Sequence, residues 1–125
     1  MPEICVPPKL NLEAKQNTWD ANHTPASRCA YLEALLDYIV CMVISRKIES
    51  PHDPDLDSLE HQAKSLRRQV RDTCNQFQAP SDATISQLSI NITELTNAAK
   101  ESATINSVIA AARGALAAVN SLNAG

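Results

Sequence analysis

The stretch that decides the fold is "TPASRCAYLEALLDYIVCMVISRKIESP", Thr24 to Pro51. Thr24 can cap a helix, Pro25 suits a first helical position where no backbone N–H is required, and Pro51 closes the segment. Within it Leu32, Leu35, Leu36, Ile39 and Val43 form an ordinary apolar stripe. "YIVCMVI", Tyr38 to Ile44, is apolar on every side. A helix without a polar face needs neighbours all round it, so this segment is expected at the centre of a helical bundle. Its length, and the approach through Glu33 and Asp37, argue against a membrane span.

Working outward, the segment from Pro54 to Gln78 places Leu56, Leu59, Ala63, Leu66, Val70 and Phe77 at steps of three and four, with one longer gap before Phe77. This is the seam of a surface helix packed on that centre. Its acids, Asp55, Asp57 and Glu60, come first and its bases later, as the helix dipole favours. Beyond Pro80 and the capping candidate Ser81, Ile85, Leu88, Ile92 and Leu95 make a helical stripe that continues through Ala99, although "QLSINITEL" also alternates like a strand. Helix is the better reading, because a lone strand has nothing to pair with. Ile90 points away from the stripe. In the tail, Ile105, Ile109, Ala112, Leu116 and Val119 share a side, while Ala110, Gly114 and Ala118 offer a path for close helix approach. The phase slips between Ala99 and Ile105, which predicts a long last helix with a kink or a break there.

Toward the other end, residues 1–8 carry Pro2, Pro7 and Pro8 and read as a loose arm, followed by a short helix from Lys9 to Trp19 with Leu10, Ala14 and Trp19 inward. The expected architecture over 1–125 is therefore a single all-α domain: three long helices plus a short N-terminal one.

The totals agree and set limits on function. A chain of 125 residues can bury roughly two-thirds of the surface it exposes when unfolded, enough for one core. With 3% aromatic residues, that core is made of Leu, Ile, Val and Ala, which suits helices. A net charge of −3 with no basic block gives no footprint for nucleic acid. Two glycines, Gly114 and Gly125, cannot build a phosphate-cradling loop. The N-terminus lacks a leader's apolar run, which predicts a cytoplasmic location. There the four cysteines, Cys5, Cys29, Cys41 and Cys74, are expected to be free thiols acting as small hydrophobes. On the same ground the Asn-x-Thr triplets at Asn22 and Asn91 carry no weight.

The most chemically loaded stretch is "ESPHDPDLDSLEH", Glu49 to His61. Asp53, Asp55 and Asp57 begin a calcium loop, but Ser58 and Lys64 stand where a glycine and a glutamate are needed. Glu49 and His52 match half of a di-iron motif, with Pro51 breaking the helix between them. Asp20 and His23 give a weaker version. Two histidines alone cannot close a zinc site. The simpler reading is a corner, with Asp53 or Asp55 capping the next helix. Pairings of Cys29 with His23, or of Cys74 with His61, have no diagnostic spacing for nucleophilic catalysis.

No cofactor is implied. The expected function is a non-enzymatic protein-binding module acting through helix surfaces: a neutralising (immunity-type) partner, an adaptor or a secretion chaperone. The expected partner is another protein, or the chain itself as a homo-oligomeric structural bundle. The candidate contacts are Arg67, Arg68 and Arg71, Ile90, and Tyr38 and Met42 on the exposed side of "YIVCMVI". The rival from another class is a small metal-dependent enzyme using Glu49, His52, Asp57 and His61.

Overall fold

The computed structural model describes residues 5–100 and 105–122. Five helices follow in order: α1 (Val6–Ala21), α2 (Pro25–Glu49), α3 (Pro54–Thr73), α4 (Asp82–Lys100) and α5 (Ile105–Asn120), with a 3-10 turn at Cys74–Gln76 after α3. α2 is the axis. Thr24 caps it by accepting from the Ser27 N–H, and the Ser27 hydroxyl returns to the Thr24 N–H, so two of the first turn's unpaired donors are satisfied. α1, α3 and α5 pack against it, and the Tyr38 hydroxyl meets Thr96 of α4 at 3.0 Å. That enclosure is why a segment with no polar face is stable here: Leu32, Leu35, Leu36, Ile39, Met42 and Val43 are all fully buried.

The seam of α3 is as its sequence predicts, with Leu56, Leu59, Ala63, Leu66 and Val70 buried, and Phe77 buried beyond the 3-10 turn. Asp53 caps α3 by accepting from the Asp55 and Leu56 N–H groups, so the stretch from Glu49 to His61 is a corner.

Three expectations are corrected. The long last helix, expected with a kink or a break between Ala99 and Ile105, is two: α4 and α5 are separate helices packed against each other, which a continuous helix cannot do. Asn91 of α4, which the stripe left out, is buried and wedged onto Gly114, where an added Cβ would lie 2.8 Å from the Asn91 Oδ1. Ala99 and Ile105 fall, as side chains, outside the described residues.

At the other end, α1 begins at Val6, so Pro7 and Pro8 stand in its first turn, where their missing N–H groups cost nothing. The buried residues of α1 are Leu12 and Trp19, seven apart, while Leu10 and Ala14 are exposed. Residues 1–4 of the expected arm lie outside the described residues.

The cysteines are paired, Cys5 with Cys41 and Cys29 with Cys74. The first pair ties the start of α1 to α2, with Cys5 held at a φ of 59°, in the left-handed region. The second ties the first turns of α2 to the end of α3. The expectation of free thiols, which followed from the expected cytoplasmic location, is overturned by this pairing.

Candidate functional site

Most charged side chains with a task in the bundle are paired between helices. Arg67 meets Asp37 at 3.0 Å, and Arg71 meets Glu33 at 2.7 Å and Asp37 at 3.9 Å, stitching α3 to α2. Lys47 bridges Asp57 at 2.7 Å and Glu60 at 3.0 Å, and Lys64 holds Glu60 at 2.7 Å. These contacts hold the Asp57 carboxyl below its usual range through Lys47, and that of Glu60 through Lys64 and then Lys47. Of the expected basic cluster, then, Arg67 and Arg71 grip α2, and Arg68 is exposed without an ion pair among the described residues.

Tyr38 and Met42 are interior, so "YIVCMVI" turns outward only through Cys41, which is half-buried, and Ile44. Ile90 is exposed, as its phase predicts.

The residues of the metal reading do not converge. Glu49 pairs with Arg46, Asp57 with Lys47, and His61 Nε2 lies 3.6 Å from Asp57 alone, while His52 is exposed in the turn. Among the described residues no three His, Cys, Asp or Glu side chains are placed to hold one metal ion. Cys29 and Cys74, as a disulfide, offer no nucleophile.

Two clefts remain. A groove of about 490 Å³ runs between α3 and α5, lined by His61, Gln62, Ser65, Gln69, Arg113 and Asn120 over Leu66 and Leu116. Its charge is already balanced, since Arg113 reaches Asp55 at 3.1 Å. The other cleft, of about 580 Å³, opens where the α1–α2 turn faces the start of α4. Trp19, Asp20 and His23 come from one wall, Pro25 and Arg28 from the start of α2, and Pro80, Ser81, Asp82 and Ile85 from the other side. Cys29–Cys74 lies beside it. That staple fixes the end of α3, from which the chain runs to Pro80, and the Gln78 N–H donates to the Leu122 carbonyl at 2.7 Å.

The electrostatics of this second cleft differ from those of the interhelix pairs. Arg28 has no ion-pair partner among the described residues, and its Nε is sealed from water with no hydrogen-bond acceptor in reach. A buried donor left unmade costs about 1–3 kcal/mol. Asp20 also lacks an ion pair among the described residues. It stands in the last turn of α1, which carries no basic residue, so its charge meets the negative end of the helix dipole. Its presence adds to burial in pushing the Tyr31 phenol up to about 12. Trp19, in the same lining, is buried and its ring meets His23 edge-on, with centroids 4.3 Å apart.

The sequence pattern offered only Asp20 and His23 of this site. Trp19, the single tryptophan of the chain, and Arg28 next to a cysteine were signals of a kind, but the approach of Pro80–Asp82 depends on a disulfide that the cysteine spacing does not disclose. No helix among the described residues is long and apolar enough to cross a membrane. In comparisons of the chain with protein families, curated proteins and solved structures, nothing matches it.

Proposed function

We propose that this chain is a non-enzymatic binding domain for another protein, working in an oxidising environment and docking its partner at the cleft between the α1–α2 turn and the start of α4. The observation that carries the reading is Arg28: a guanidinium that lines a preformed cleft without an ion-pair partner among the described residues. A partner's carboxylate would supply the opposite charge that the fold does not. The two disulfides support the setting, because bridges of this kind persist where thiols are not kept reduced.

The test is Arg28→Met, which keeps the aliphatic stem and removes the guanidinium. Partners captured on the immobilised wild-type domain from its own host's extracellular fraction should be identified by mass spectrometry, then re-measured singly. The reading expects at least one purified partner to lose about tenfold or more in affinity on Arg28→Met, about 1.4 kcal/mol, with the melting temperature unchanged or raised. A partner bound equally well by the variant would remove Arg28 from the reading.

Self-association is a second reading with an observation of its own. Ile44 and Ile48 sit one turn apart on α2 at 37% and 78% exposure, an apolar pair that isolated bundles seldom leave open. Sedimentation at rising concentration should show mass-action dimerisation that Ile48→Lys abolishes.

A further inference from the structure

We infer that the segment docking at this cleft is a polypeptide C-terminus ending in lysine or arginine, its α-carboxylate on Arg28 and its side-chain cation beside Asp20. The inference rests on the protein-binding reading and adds the partner's chemistry to it.

Three charges line one cleft, the carboxylates of Asp20 and Asp82 and the guanidinium of Arg28, and no ion pair joins them to each other or to another described residue. Along α2 and α3 opposite charges find each other across helices, as Glu33 with Arg71 and Asp37 with Arg67 do. Charges of both signs held apart are complementary to a ligand that is itself dipolar. The space, about 580 Å³, is that of a small-ligand pocket, so both charges must come from one or two residues of a partner. A chain-terminal basic residue carries both at once. The planar fork of Arg28 suits a carboxylate, which accepts two parallel hydrogen bonds. The flexible stem of the ligand's Lys or Arg would lie along Trp19, Pro80 and Ile85, the apolar part of the wall.

Trp19 lines the cleft and is the chain's single tryptophan, so its emission reports occupancy directly. The probes are acetylated tetrapeptides, Ac-Leu-Ala-Ala-Lys with a free carboxylate, the same peptide amidated, and Ac-Leu-Ala-Ala-norleucine with a free carboxylate, each titrated to about 10 mM, well past a millimolar Kd. The first should give a saturable change. Amidation and norleucine should each weaken it by about tenfold or more, a loss of about 1.4 kcal/mol. Arg28→Met should erase the discrimination between carboxylate and amide and keep that between lysine and norleucine, and Asp20→Asn should do the reverse. Equal binding of all three peptides, or no saturable response to any, overturns the inference. If the peptides fail while Arg28→Met still weakens a captured partner, the ligand chemistry is wrong and the docking site stands; if Arg28→Met is also without effect there, the underlying reading fails with it.

Discussion

The interface between α2 and α3 and the cleft at the α1–α2 turn are built from the same residue types and treat charge in opposite ways. Along α2–α3, Glu33, Asp37 and Lys47 each find a partner on the facing helix at 3.0 Å or less. In the cleft, Asp20 and Arg28 share a wall system and stay apart. Where a charge is matched internally, its role is completed by folding. Where it is kept unmatched, at a cost folding must carry, the match is expected to arrive from outside. The difference between the two regions, more than any motif, separates what holds this molecule together from what it presents.

The contrast is sharpened by perturbing each region in turn. The largest effect should come from the staples, since the cleft's walls depend on them. Replacing Cys29 and Cys74 together by Ala opens a loop closed over a separation of 45 residues, which by chain entropy alone is expected to cost about 4 kcal/mol. Urea unfolding measures it, and Trp19 emission should shift in the variant's native state because one side of the cleft is released.

Next comes the α4–α5 contact. Gly114→Ala brings a methyl group against the buried Asn91 amide and should destabilise by about 1–3 kcal/mol. The double variant with Asn91→Ala should recover most of that, and a double-mutant cycle reads the coupling.

The ion pairs should matter less. Asp37→Asn removes the negative charge that pairs with Arg67 and Arg71, but both acid and bases are partly exposed, so about 0.5–1 kcal/mol is expected in urea. An equal loss on Asp20→Asn would erase the distinction drawn between the regions.

Smallest and most specific is the pH dependence. Asp57 and Glu60 have carboxyl groups held below their ordinary range, so their contribution is fully present above that range and is lost as pH falls through the lowered values. Melting temperature should therefore drop on acidification below about pH 4. Lys47→Met should flatten part of that drop, leaving the share of Glu60 that Lys64 supplies.

The bundle was legible where one face of a helix meets water. The α3 seam from Leu56 to Val70 appears in the sequence as the structure has it, and the all-round apolar character of Tyr38–Ile44 placed α2 at the centre. Legibility failed where long-range geometry decides. The stripe of α4 and the stripe of α5 each read correctly, but the return of one onto the other depends on Asn91 seated on Gly114, and a buried Asn does not announce itself in a periodic pattern. α1 was misphased by reading Leu10 as inward; its single anchor with Trp19 is Leu12, two residues on. The cysteines misled most: their spacing fits no motif, and only the antiparallel laying of α1 on α2 brings Cys5 to Cys41. The cleft inherits that blindness, since its walls come from three places in the chain and one of them is set by Cys29–Cys74.

The most direct measurement of the central claim is the urea unfolding free energy of Asp20→Asn combined with Arg28→Met, against the wild type at neutral pH and in the absence of any ligand. Charges kept for a partner should be dispensable to the fold, so the double variant should be as stable as the wild type or more so. A loss of more than about 1 kcal/mol, the scale of a net internal hydrogen bond, would mean that these two side chains serve the bundle itself and would contradict the account.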